Sequence, residues 1–169
     1  MREFVSDAIV LDKEPNGELD SRVALFTKKF GRLTAKARSA RKITSKLATH
    51  LDAGTVSTVR LVEKNGLQVV DALKCGTVET KPSNLYFLNQ LMAEGETDLA
   101  LWQVLTKEKF SWQKILKLLG WDPHEARCAL CGKSNPALFT PRNQEFFCEE
   151  CVDSHHAEKE LLYIGTLRD

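Results

Sequence analysis

Four cysteines fall into two pairs, Cys128-Ala129-Leu130-Cys131 and Cys148-Glu149-Glu150-Cys151, with sixteen residues between the inner members. Each C-x-x-C turn sets two sulfurs on one side of an ion, and the intervening segment brings the second turn across to complete a tetrahedron with metal–sulfur distances of about 2.3 Å. Gly132 directly after the first pair suits a knuckle that needs positive φ. Four thiolates leave no position for water, so the spacing predicts one structural zinc ion in a module over 128–151. A disulfide framework would need an oxidising compartment, and residues 1–7 lack the apolar run of a secretory signal. A redox C-x-x-C needs a βαβ setting, and a zinc deaminase needs a His-x-Glu and a proline ahead of its cysteine pair; neither is present. Cys75, after a strand-like run, reads as a small buried hydrophobe. His155 and His156 could replace a ligand but read as part of a solvated acidic helix.

The first 75 residues alternate with a β period. An apolar run at Ala8-Ile9-Val10-Leu11 precedes Pro15-Asn16-Gly17, strands are predicted over 21–27 and 32–38 with Phe30-Gly31 as the turn between them, and two more over 55–63 and 67–73 flank Asn65-Gly66. That dipeptide signals a hairpin because a type I′ turn needs positive φ at both central residues. Five short antiparallel strands, with 39–51 as the long connection between the third and fourth, predict an OB-type barrel over residues 1–80; an SH3-like barrel is the alternative.

After Lys81-Pro82 the period becomes helical. Leu85, Leu88, Leu91 and Met92 form one stripe ending near Gly95, Leu99, Trp102 and Leu105 form a second from Asp98, and Ile115, Leu116, Leu118 and Leu119 an inward face over 110–119, closed by Gly120. Lys107, Lys109, Lys114 and Lys117 read as a solvated face, and Trp102, Trp112 and Trp121 as packing residues. The fold class is therefore α+β, a five-stranded OB-like barrel followed by a small helical domain over 81–169 that carries the four-cysteine zinc module. No run of eighteen apolar residues is present to span a membrane.

The net charge of +1 conceals a strong segregation. Residues 21–51 hold nine basic residues and no acidic one, leaving 15 basic against 23 acidic elsewhere. Within that stretch Arg32, Thr34, Lys36 and Arg38 alternate with Leu33, Ala35 and Ala37, so one strand face is cationic and the other apolar. A merely solvated face normally interleaves acids that relieve repulsion, and none occurs here for thirty residues. The pattern favours a phosphate-binding surface, with Arg22, Lys28, Lys29, Phe30, Arg32, Lys36, Arg38, Arg41, Lys42 and Lys46 as candidate nucleic-acid contacts and Ser39, Thr44 and Ser45 as additional donors. Phe26 alternates toward the core with Ala24, which leaves Phe30 at the turn as the one stacking candidate. No phosphate-cradling Gly-Lys-Ser/Thr loop, carboxylate pair or nucleophile elbow accompanies the surface, so a non-enzymatic protein is expected.

These residues together resemble the bacterial recombination mediator family RecO. The match runs through Ala8-Ile9-Val10-Leu11, Gly17-Glu18-Leu19-Asp20, Leu25-Phe26-Thr27-Lys28-Lys29-Phe30-Gly31-Arg32-Leu33 and Ala37-Arg38-Ser39-Ala40-Arg41-Lys42, then through Ile115-Leu116-Lys117-Leu118-Leu119-Gly120-Trp121-Asp122-Pro123, the two cysteine pairs and Phe139. The resemblance implies a cytoplasmic, nucleoid-associated protein that binds single- and double-stranded DNA and anneals complementary strands. With a RecR-like partner it would help load a recombinase onto DNA covered by single-strand-binding protein. Arg32, Lys36, Arg38, Arg41 and Lys42 fall in the family's basic DNA-contacting region, and Cys128, Cys131, Cys148 and Cys151 on its zinc ligands. The helical part between Lys81 and Phe110 is shorter than is usual there, and the chain stops soon after the cysteine module. The family's pocket for the tail of single-strand-binding protein lies in that helical region, so the shortening bears on it directly. The charge pattern alone is equally compatible with an RNA-binding module, and the cysteine module with a protein-interaction adaptor.

Overall fold

A computed structural model describes residues 2–42, 44–155 and 160–165. Its contacts divide the chain into two units, Met1–Glu108 and Lys109–Asp169.

In the first unit, strands β1 (Arg2–Asn16), β2 (Asp20–Thr27), β3 (Gly31–Ala37), β4 (Thr55–Glu63) and β5 (Leu67–Thr77) close a barrel in the order β1-β2-β3-β5-β4. All pairings are antiparallel except β3 with β5, which meet in parallel at only two positions, Lys36↔Gln68 and Ala37↔Val69. Long β1 serves both neighbours: Ala8 and Ile9 face Thr27 and Phe26 on β2 and also Ser57 and Val56 on β4. A bulge between Val10 and Asp12 bends it onto β2. Asn65 and Gly66 take φ of 52° and 101°, as the hairpin requires, with Lys64 as a third turn residue between the partners Glu63 and Leu67.

The barrel interior holds Ala8, Val10, Val23, Leu25, Ala35, Ala37, Val59, Leu61, Val69 and Ala72. The connection after β3 adds to it, since Ala40 and Leu51 are buried in the same cluster and Leu47 packs against it, with a short 3-10 turn at Ala48–His50 between. Ile9, Leu11, Ala24 and Phe26 are equally buried but lie outside that cluster, on the outer face. Helix α1 (Pro82–Leu91) runs along β1, and Trp102 of α2 (Leu99–Lys107) packs on Phe26 with ring centroids 5.7 Å apart. Phe26 is therefore buried beneath a helix rather than inside the barrel. The change to a helical pattern at Lys81 precedes the contact boundary at Glu108, because α1 and α2 turn their apolar faces to the sheet.

Three sequence expectations need correction. Cys75 is exposed, because β5 continues past Leu73 and leaves its Sγ on the open side, donating to the Val56 carbonyl at 3.3 Å. Leu99 is 58% exposed, because Asp98 caps the helix, accepting from the Leu101 N–H at 2.8 Å, and puts Leu99 in the first turn ahead of the buried face of Leu101, Trp102, Val104 and Leu105. Helix α3 (Trp112–Leu118), in the second unit, buries Trp112, Ile115 and Leu116 and leaves Leu118 40% exposed, since a helix of seven residues covers only one narrow stripe.

The second unit continues with β6 (Leu138–Thr140), β7 (Glu145–Phe147), α4 (Glu149–His155) and β8 (Leu162–Tyr163), the strands ordered β7-β6-β8. Phe139 is its fully buried centre, with Trp121 and Phe146 at ring-centroid distances of 5.7 and 4.8 Å. The side chain of His155, and His156 altogether, lie outside the described residues.

Candidate nucleic-acid interface and metal centre

The alternation on β3 has the expected sense. Leu33, Ala35 and Ala37 join the barrel core, so Arg32, Thr34 and Lys36 stand on the outer face. Strand pairing then supplies what local sequence did not contain. Across the outer face, Glu14 of β1 opposes Arg22 of β2, which opposes Lys36 of β3; one register along, Asp12, Ala24 and Thr34 form the next row. Asp12, Glu14, Arg22, Ala24, Arg32, Thr34 and Asn89 line a small polar cavity of about 120 Å³. The Arg32 Nε donates to Asn89 Oδ1 at 2.7 Å, and Lys36 Nζ lies 2.9 Å from Asp20 Oδ2. The expectation that no acid relieves the repulsion on this face is thus corrected: Asp12, Glu14 and Asp20 sit outside the basic stretch in sequence and beside it in space.

Asp20 has a second task. Its Oδ1 accepts from the Ser39 N–H at 2.8 Å, and that bond, then Lys36, holds its carboxyl below the usual carboxylate range. Ser39 at φ 53° turns the chain off β3, and the Arg41 N–H donates to the Leu19 carbonyl at 2.9 Å while its Nη1 donates to the Gly17 carbonyl at 2.7 Å. The connection is therefore clamped to the β1–β2 turn at its start. At its end Lys13 reaches the Ala48 carbonyl and Asp52, each at 3.0 Å. Lys28, Lys42 and Lys46 are exposed and make no side-chain hydrogen bond or ion pair among the described residues. The guanidinium of Arg41 and the ammonium of Lys29, which donates to the Val5 carbonyl at 3.1 Å, meet neutral carbonyl acceptors and pair with no carboxylate among the described residues. The uncompensated cations thus gather in the β2–β3 turn and the connection, more than on the strand face. Phe30 is half-buried and packs edge to face on Phe4 with centroids 5.4 Å apart, so it is a held ring rather than a fully exposed one at a turn tip. Asp12, Glu14, Asp20, Asn89 and Phe4 are the neighbours that sequence reasoning missed.

In the second unit the two knuckles are brought together by β7, which runs directly into Cys148. The Ala129 N–H donates to the Phe146 carbonyl at 2.9 Å, tying the first knuckle to that strand, and the Gly132 N–H closes its own turn on the Cys128 carbonyl at 2.9 Å, with Gly132 at φ 71°. Cys151 lies in the first turn of α4. The four sulfurs all lie within 4.8 Å of one another, with Cys131 and Cys148 at 3.6 Å. Tetrahedral bonds of about 2.3 Å put sulfurs about 3.8 Å apart, so the spacing fits one ion. Burial opposes a thiolate at Cys128, yet the N–H groups of Cys131, Cys148 and Leu130 outweigh it and bring the thiol down to about 6. Cys151, crowded by the sulfurs of Cys148 and Cys131, is pushed up to about 12. Four thiols so close conflict over charge, and a bound cation removes that conflict.

Residues 1–77 match the family model described as recombination protein O N terminal. The chain is 25% identical over 187 residues to the DNA repair protein RecO of Thermodesulfovibrio yellowstonii, covering 95% of this chain and 75% of that protein. It is 24% identical over 196 residues to the DNA repair protein RecO of Alkaliphilus metalliredigens, covering 94% and 77%, and 24% identical over 179 residues to that of Bacillus pumilus, covering 86% and 67%. A barrel closed in OB order, a basic connection clamped to it and, in the second unit, a four-cysteine centre thus coincide with a chain whose residues 1–77 match the RecO N-terminal family model and which is similar over nearly its full length to RecO DNA repair proteins.

Proposed function

We propose that this chain serves recombinational DNA repair by binding single- and double-stranded DNA through the phosphate backbone and annealing complementary strands, without catalysing a chemical step. The observation that carries the reading is the set of exposed cations Lys28, Lys29, Arg41, Lys42 and Lys46, at the two ends of β3 and paired with no carboxylate among the described residues, on a barrel of the RecO N-terminal type. A surface of this kind screens two phosphate backbones at once and reads little of the bases. Arg22, Lys36 and Arg38 are secondary contacts in this reading, since Glu14 or Asp20 stands beside each, and so is Arg32, which Asn89 holds. A RecR-like partner, loading of a recombinase onto DNA covered by single-strand-binding protein, and a place in the cytoplasm at the nucleoid belong to this reading through the family resemblance alone, since the names of the relatives speak only of DNA repair. The metal is zinc in this reading, because a closed set of four thiolates selects a soft tetrahedral ion. Competition among single-stranded DNA, duplex DNA and RNA of equal length tests the assignment. DNA outcompeting RNA supports it; preference for RNA, or no binding at low salt, overturns it.

A further inference from the structure

We propose that the open end of the barrel between β3 and β5 captures one extruded nucleobase, an inference that rests on the DNA-binding reading and names the group this end would take. The opening follows from topology. β3 and β5 pair only at Lys36↔Gln68 and Ala37↔Val69, and near Gly31 the same edge of β3 is taken by Glu94, bridged to Arg32, so between these two closures the strands part around the partly buried Leu33 and Leu67. Phe4, Phe30, Leu33, Leu67 and Glu63 line a cavity there of about 230 Å³. Pockets that enclose whole small molecules run to about 300–1,000 Å³. The smaller space suits a single ring projecting from a chain that stays outside.

Charge decides the kind of occupant. Lys28 and Lys29 directly precede Phe30, and Lys64 directly follows Glu63; all three are exposed, and the Lys29 ammonium is held at the Val5 carbonyl beside Phe4. The Lys29 ammonium therefore stands beside an apolar mouth that has one carboxylate on its lining, and the exposed Lys28 and Lys64 adjoin that lining in sequence. A polyanion can rest on such a rim while one ring enters, whereas an apolar peptide gains nothing from the rim. Phe4 and Phe30 meet edge to face at this mouth, and in the proposal Phe30, which directly follows Lys28 and Lys29, is the ring that an entering base meets. Glu63 can accept from the exocyclic amine of cytosine, and thymine offers no amine there.

Equilibrium binding of the full chain at low salt to oligonucleotides of oligo-dC, oligo-dT and abasic backbone, of equal length, tests this. One stacked base predicts oligo-dC about tenfold tighter than the abasic strand. The Glu63 contact adds a preference for dC over dT of about fivefold. Phe30→Leu, which keeps apolar bulk and removes the ring, should bring oligo-dC down to the abasic level and leave abasic binding unchanged, and Glu63→Ala should erase the preference over dT. Equal affinity of the unmodified protein for dC and abasic strands would overturn the proposal and leave the mouth to an apolar side chain of a protein partner, while the backbone reading survives. Equal affinity for dC and dT would overturn the assignment of Glu63. Failure to bind even the abasic strand would overturn the DNA-binding reading itself.

Discussion

Gly31 shows how much a single position can carry. It stands at φ 70°, and a Cβ added there would lie 2.1 Å from the Glu96 carbonyl oxygen, a backbone atom that cannot swing away. Gly31→Ala combines left-handed strain with a backbone clash, and chemical denaturation of the barrel unit should register a loss of about 3 kcal/mol. Asp20 gives a prediction of opposite sign, for binding. Asp20→Asn keeps an oxygen for the Ser39 N–H but frees Lys36, so affinity for single strands at low salt should rise two- to fivefold, with a salt slope steeper by about 0.7 for one added phosphate contact. Unchanged affinity would show that Lys36 never reaches a phosphate. Because the Asp20 pKa is lowered on folding, its contribution to stability is present above the unfolded carboxylate pKa and is lost as pH falls through the lower folded value. The Ser39 tether should therefore hold at neutral pH and loosen only in acid, which amide exchange of Ser39 against pH can follow. At this scale the sequence was legible wherever the information is local. The sides of β3 follow from alternation and the knuckle from Gly132, whereas the acids beside Lys36 arrive through strand pairings that no local window contains.

Among the elements, the run Ala8-Ile9-Val10-Leu11 was more informative than alternation alone suggests. Four consecutive buried residues mean that both faces of the strand are covered, one by the barrel core and one by helices. Helix phase was less legible. Whether Leu99 or Leu101 faces inward depends on the residue at which Asp98 starts the helix, and a shift of one position turns the buried face by about 100°. The connection after β3 and the helical lysines can be compared directly. Reversing Lys42 and Lys46 to Glu should weaken binding of all base sequences alike and flatten the salt slope by about 1.4, two contacts at about 0.7 each, while reversing Lys107 and Lys114 should change little. Equal losses from both pairs would place the helix face on the DNA path. The cysteine centre joins β7, α4 and the first knuckle, so stripping its metal should unfold the second unit and spare the barrel, with about 10 kcal/mol of metal-linked folding free energy at stake. Circular dichroism with and without chelator, beside elemental analysis of the untreated protein, checks both the coupling and the identity of the ion.

For the whole molecule, annealing of complementary strands should be accelerated without nucleotide, and no acceleration on bare oligonucleotides at low salt would refute the mediator reading. The alignments with two of the relatives run over 187 and 196 positions against 169 residues here, so those relatives carry residues this chain lacks, and the sequence reading expects the shortening in the helical part. Annealing of strands coated with single-strand-binding protein should accordingly gain less than annealing of bare ones, and an undiminished gain would show that a docking pocket is still formed. The two-pair seam between β3 and β5 has a consequence of another kind. A barrel is as hard to open as its weakest strand pair, and every other pair here is stitched over at least seven positions. Transient opening should begin at the seam, so the amides that bridge Lys36 and Ala37 to Gln68 and Val69 should exchange with deuterium sooner than those of β1 and β2. A strand of DNA lying along β3 would slow that exchange, making the seam a reporter of occupancy far more local than any change in the melting of the barrel.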